Sequence, residues 1–217
     1  MHIVQARLNM VNNQIRPWDV FNPEIISLFE TTAREHFLPA YFKNLAYVDE
    51  LLPLSNGHHM LPPREQARLL QALMVQPSDR VLEIGTGTGY LTSMFARLSH
   101  SVVTVDICKD HSEAAAQRLA ALGIGNINFR TGDASQGWTQ DGAFDVIALL
   151  GAVETLAPAY LTQLTVGGRL FAIIGKAPAM QATLITRLSE QDWRYTVLFE
   201  SVVPYLVNGC MKAEFVF

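Results

Sequence analysis

The sequence predicts an α/β protein: a doubly wound, mostly parallel sheet with an antiparallel C-terminal edge and a helical N-terminal extension. Three observations predict it. From residue 79 onward, short apolar runs alternate with helical patterns, and helical crossovers make successive strands parallel, with helices on both faces. A glycine-rich turn follows the first of these runs, the place where open α/β sheets bind ligands. The last two runs, ATLITRL and YTVLFESVV, have no long helix between them, which suits a hairpin at the sheet edge.

The elements follow in order. Pro23 and the segment EIISLFETTAREHF predict a helix with proline in its first turn and Ile25, Ile26, Phe29 and Ala33 on its apolar face. Pro39, Pro53, Pro62 and Pro63 then divide the chain. A second helix, REQARLLQALMV, follows Pro63 with Ala67, Leu70, Leu73 and Met74 on one face. Next come the strands RVLEI, SVVTV, INFRT, FDVIALL and RLFAII, each short and rich in β-branched or aromatic residues. Between them lie the helices YLTSMFARLS, HSEAAAQRLAALG and ETLAPAYLTQL, with Gly123 as a C-terminal cap for the second. The expected organisation is one structural domain, with residues 1–78 packed as an extension on an α/β core of residues 79–217.

The 217 residues suffice for one large core. With 49% hydrophobic and 17% charged residues the chain reads as globular. A net charge of −4 argues against non-specific nucleic-acid binding, which needs a basic field. Cys108 and Cys210 lack metal-ligand spacing and read as reduced thiols. No metal is expected. The N-terminus MHIVQARLNM lacks the apolar run of a signal peptide, and no stretch approaches a membrane span. The expectation is a soluble, cytoplasmic protein with neither nucleic-acid nor membrane partners.

The segment RVLEIGTGTGY carries the chemistry. VLEI reads as a buried strand, and Gly85, Thr86, Gly87, Thr88 and Gly89 as the turn into a helix near Tyr90. Glycines let the backbone turn tightly and approach a ligand. The spacing is G-x-G-x-G, one residue shorter than the dinucleotide fingerprint. Glu83, just before the turn, suits a cationic ligand better than a pyrophosphate. The next strand ends in Asp106, 21 residues after Gly85, where an acid can accept both hydroxyls of a ribose. The third strand is followed by Gly132 and Asp133, within reach of an adenine amino group. Each acid alone reads as an ordinary loop carboxylate; together, at consecutive strand ends beside a glycine turn, they read as one ligand site.

VLEIGTGTGY resembles the first motif of class I methyltransferases, and in this form that of the protein-L-isoaspartate (D-aspartate) O-methyltransferase family. MVNNQIRP near residue 10, REHFLP at residues 34–39, AYVDELLPL at residues 46–54, GDASQGW at residues 132–138, AFDVIALLGA and LTVGGRLFAIIG follow the order of that family over nearly the whole chain. The resemblance implies a Rossmann-like methyltransferase fold that binds S-adenosyl-L-methionine at the strand ends. It implies Gly85, Thr86, Gly87 and Gly89 along the methionine part, with Glu83 beside them. Asp106 would hold the ribose, its neighbour Ile107 belongs to the same cofactor-binding set, and Asp133 and Ala134 would flank the adenine. Gln66 aligns with a position that can touch the cofactor. The implied activity is methylation of a carboxylate of damaged aspartyl residues in a protein or peptide.

The chain leaves the family pattern in two places. The family reads close to G-Q-T-I-S-x-P before the helix, with its serine at the methyl-transfer site; here the segment is Gly57, His58, His59, Met60, Leu61, Pro62, Pro63. Leu61 has no hydroxyl to donate. The family's C-terminal Arg-aromatic-Val-Pro-Leu run is here Ser201, Val202, Val203, Pro204, Tyr205, Leu206, without the arginine. Two further readings therefore stay open: a paralogue methylating another acceptor such as a small molecule, and a non-catalytic module binding the cofactor. No catalytic residue is assigned. His59 is a candidate, since adjacent His58 and His59 would face opposite ways on a strand and only one would face the site. His36 and His111 read as solvated helix residues, Trp138 as packing. Phe37, Tyr41, Phe42 and Tyr47 read as N-terminal core or as a substrate groove.

Overall fold

The computed structural model describes residues 3–210; residues 1–2 and 211–217, the outer ends of the two expected segments, lie outside the described residues. Helix α1 spans Ile3–Met10 and runs through a wide turn at Val11–Ile15. Helix α2 spans Pro23–Thr31, with Pro23 at its start and the Asn22 side chain accepting the N–H groups of Glu24 and Ile25. That cap satisfies donors no helical carbonyl can reach. The helix is shorter than its periodicity predicts. Thr31 and Thr32 are consecutive β-branched residues with poor helix propensity, and Thr32 is already extended. Arg34–Phe37 then form a separate 3-10 turn that directs Arg34 and Phe37 inward.

A small hairpin, β1 (Leu52–Pro53) and β2 (His59–Met60), comes next; Pro53 pairs with His59. Helix α3 spans Pro63–Leu73 as the sequence predicts. Met74 departs from its expected apolar face: it adopts a left-handed conformation after the last turn and is exposed. The core alternates β3 (Arg80–Ile84), α4 (Tyr90–Leu98), β4 (Ser101–Asp106), α5 (Lys109–Ala121), β5 (Ile127–Thr131), β6 (Phe144–Val153), α6 (Pro158–Gln163) and β7 (Leu164–Lys176). Helix α6 starts later than expected, at a proline well suited to a first helical turn. The hairpin β8 (Ala179–Ser189) and β9 (Asp192–Glu200) closes the sheet.

The seven-stranded order is β5-β4-β3-β6-β7-β8-β9. Pairings from β5 through β7 are parallel, and those of β8 are antiparallel. The fold is thus the Rossmann-like architecture that the sequence predicts. The chain leaves β3 to one side for β4 and β5 and to the other for β6 and β7, so the C-terminal end of β3 is the switch point. One face of the sheet packs Phe95 and Phe171 with Met10, Phe29 and Leu70 of the N-terminal helices; the other packs Leu82, Val103 and Ile147 with Tyr160. Each such side chain contributes roughly 1.5–3 kcal/mol on burial. The N-terminal helices therefore share the cover of the first sheet face with α4. Among the described residues no helix is long and apolar enough to cross a membrane.

Candidate active site

A cleft opens at the C-terminal ends of β3, β4 and β6. Its floor is the glycine turn, one wall is residues 51–61, and the other is the tail from Val203 to Val207. Parallel strands end here with free backbone groups, and the turn reverses them into α4. Gly85 and Gly87 both take positive φ, +101° and +51°, conformations that cost a side-chain-bearing residue. The Gly85 N–H donates to the Val105 carbonyl at 2.8 Å.

Asp106 organises this end of the sheet. Its two oxygens accept the backbone N–H groups of Gly87 and Cys108, both at 2.8 Å. Burial pushes its carboxyl up, but His111 and these two N–H groups more than offset that and hold it below the usual carboxylate range. It is therefore an ionised, pre-aimed acceptor at neutral pH. Asp133 is held by the Ser135 N–H and by Asn208 of the tail, each at 2.8 Å, and its carboxyl is likewise lowered, chiefly by the Ser135 bond. Ala134 is buried beside it, and its carbonyl accepts the Tyr160 hydroxyl. Gly85, Thr86, Gly87, Asp106, Ile107, Asp133, Ala134 and Gln66 all line this one cleft.

Two predicted residues do not. Glu83 points into the interior of the sheet, where Thr92 and Thr104 donate to its Oε2 at 2.5 and 2.7 Å. Burial pushes its carboxyl up to about 8, the threonine bonds opposing. Thr104 lies 2.7 Å from the Thr86 hydroxyl, so Glu83 reaches the turn only through a chain of hydroxyls. Gly89 faces helix α5 instead of the cleft. At φ +81° a Cβ there would lie 3.0 Å from Ala115 Cβ. Gly89→Ala is expected to destabilise the fold by about 1–3 kcal/mol, through backbone strain and overpacking, which urea denaturation would measure.

The family profile for protein-L-isoaspartate (D-aspartate) O-methyltransferase matches residues 6–205. The chain belongs to this methyltransferase family. Protein-L-isoaspartate O-methyltransferase 1 of Rhodopseudomonas palustris strain HaA2 is 36% identical over 189 residues, covering 87% of this chain and 77% of its own length. The Caulobacter vibrioides protein-L-isoaspartate O-methyltransferase is 34% identical over 210 residues, 97% of this chain and 95% of that protein. A Plasmodium falciparum protein assigned to the same activity, solved with S-adenosyl-L-homocysteine, superposes with a TM-score of 0.78 at 19% identity, over 91% of this chain and 96% of that one. At that identity the likeness speaks to the fold.

Within the protein-L-isoaspartate O-methyltransferase frame, the divergent segment forms one wall of the cleft. The Leu61 side chain is buried against the cleft, and its carbonyl accepts Arg34 Nη2 at 2.9 Å. Arg34 also donates to the Gln66 side chain and lies over the Tyr90 ring, 5.1 Å from its centroid. This arginine is fully buried, and burial pulls it down to about 10. It stays charged and ties the segment to α3. Residue spacing offers no sign of it, because a lone arginine in a proline-broken stretch reads as surface.

The histidines also depart from expectation. His58 and His59 both border the cleft, where only one was expected; the turn at Asn56 and Gly57 lies just before them, and β2 begins only at His59. His59 is exposed; His58 is partly buried, and burial lowers its basicity. His111, expected on a solvated helix, is only 8% exposed. It shares the inward face of α5 with Ser112, Ala115 and Leu119, a helical spacing that marks it as inward on close reading. Trp138 is buried packing, Phe37 packs edge-to-face on Tyr90, and Tyr41 is exposed. Tyr47 donates its hydroxyl to Glu35.

Proposed function

We infer that this protein is an S-adenosyl-L-methionine-dependent O-methyltransferase that methylates the carboxylate of isoaspartyl residues in damaged proteins. The observation that carries this reading is the convergence of the glycine turn, Asp106 and Asp133 on one cleft in a chain that the family matches over residues 6–205. The residues fit the cofactor. Asp106 offers an ionised acceptor to the ribose hydroxyls, with Ile107 exposed beside it. Gly85, Thr86 and Gly87 would present backbone to the methionine part, Asp133 and Ala134 would flank the adenine, and Gln66 lines the same cleft. Bound there, the cofactor supplies an electrophilic methyl group on a sulfonium.

The chain's own task is alignment and exclusion of water. An acceptor carboxylate is already ionised at neutral pH, so no general base is required. Holding nucleophile and methyl in line supplies the rate. Leu61, Leu150 and Val203 give the cleft an apolar lining, which strengthens attraction between the anionic acceptor and the cationic sulfonium. Within the described residues, the N-terminal extension and the α/β core act as one structural unit in this reading, supported by the apolar core that both share.

Incubation with labelled S-adenosyl-L-methionine and an isoaspartyl peptide is expected to yield a base-labile ester that releases volatile methanol. Cofactor binding without ester would favour the second reading, a different acceptor, which the missing hydroxyl at Leu61 motivates. Leu61→Ser is expected to lower KM for isoaspartyl peptide by about 2- to 10-fold, the worth of one neutral hydrogen bond. It should also lose roughly 2–4 kcal/mol of stability, because a buried leucine is truncated. An unchanged KM would place acceptor choice elsewhere in the groove.

A further inference from the structure

Beside the carboxylate of Asp106, two imidazoles converge. His58 comes from the β1–β2 hairpin, Asp106 ends β4, and His111 lies in the first turn of α5. One ligand atom from each lies within 4.8 Å of the others. The two rings meet edge to face with centroids 5.0 Å apart. Ser55 Oγ sits 2.8 Å from His111 Nε2, so that nitrogen is satisfied. His111 Nδ1 is not: it is buried, makes no hydrogen bond, and stands 3.7 Å from Asp106 Oδ1. A buried imidazole nitrogen without a partner is costly. Nδ1 and the carboxylate thus face each other across a gap that no hydrogen bond closes. A cation between them would take a lone pair from each.

We propose that His58, Asp106 and His111 form a binding site for a divalent transition ion of the zinc class, and that the ion competes with the cofactor for Asp106. Two imidazoles and one carboxylate are the borderline donors such ions select, leaving a fourth position for water. Magnesium and calcium prefer all-oxygen shells and fit poorly. The ion would join three separate elements. The hairpin already touches α5 through Ser55 and His111, and the residue before α5 through Asn56, whose amide lies 3.1 Å from Cys108 Sγ, so little movement is needed to gather the ligands. The competition rests on the ribose role given to Asp106 above; the metal site itself does not.

The test uses the full-length, metal-depleted protein without any acceptor. Calorimetry with zinc chloride and visible absorption with cobalt chloride are expected to show one ion per chain. Losing even an outer-shell partner costs a metal site about 10- to 100-fold, so His58→Ala and His111→Ala should each weaken zinc by at least about tenfold. His100→Ala, exposed at the opposite end of β4, should bind as the wild type does. Saturating S-adenosylhomocysteine should weaken zinc by a comparable factor. No binding, or equal binding by the His58 and His111 variants, overturns the site. Zinc affinity untouched by bound S-adenosylhomocysteine overturns the competition. Failure of S-adenosylhomocysteine to bind at all falls on the functional reading instead, and the variants still decide the site.

Discussion

Asp106→Ala is expected to weaken S-adenosylhomocysteine binding by at least about 100-fold. The carboxylate holds the N–H groups of Gly87 and Cys108 in place, both at 2.8 Å. Hydrogen bonds to a charged group are worth about 1.5–3 kcal/mol each, and about 1.4 kcal/mol is tenfold in affinity. Alanine removes both anchors, so the turn loosens, and it removes the acceptor offered to the ribose. Loss of the two bonds that Asp106 would accept from the ribose hydroxyls suffices for the predicted factor. Asp106→Asn keeps the volume and one acceptor oxygen, so its loss should be nearer tenfold. Isothermal titration measures both, with circular dichroism confirming that each variant is folded. Wild-type affinity in the alanine variant would remove Asp106 from the cofactor site.

The second large effect concerns stability. Glu83 is pushed up to about 8 by burial, against 4.5 for an unperturbed carboxyl. Between those values the folded protein holds a proton that the unfolded chain releases. Its contribution to stability is complete below pH 4.5 and drains away as pH rises towards 8. The slope in that window is about 1.4 kcal/mol per pH unit. Glu83→Gln cannot titrate. The stability of the wild type relative to this variant should therefore fall by that slope across the window and level off above it. Urea denaturation of both proteins at stepped pH gives the difference, and other titrating groups cancel. A constant difference across the window would mean that Glu83 is ionised in the fold.

Much of this architecture is written in local pattern. RVLEI matches β3 at Arg80–Ile84, because a strand buried on both faces reads as an almost unbroken apolar run. Asp106 and Asp133 were legible because strand ends are marked by the loss of that run. The same two-faced burial hid the direction of Glu83: with apolar cover on both sides, alternation does not say which way a side chain points. The β1–β2 hairpin was invisible, since strands of two residues have no period. Arg34, His111 and Asn208 acquire their roles only through partners 27, 56 and 75 residues distant. Such meetings depend on how the chain closes in space, which neighbouring residues do not encode.

The tail that walls the cleft has a consequence for biosynthesis. The Ala152 N–H near the end of β6 donates to the Pro204 carbonyl, the Ala152 carbonyl accepts the Leu206 N–H, and the Glu154 N–H donates to the Gly209 carbonyl. The glycine turn lies in the middle of the chain, yet its two walls come from residues 51–61 and 203–207. A ribosome must therefore deliver the chain as far as Val207 before the cleft has both walls. Nascent chains stalled before Val203 would carry five parallel strands and an open turn, but no closed active site. Onset of methyl transfer is then a readout of synthesis past Val207, and truncation just before Val203 should silence the enzyme while leaving its sheet in place.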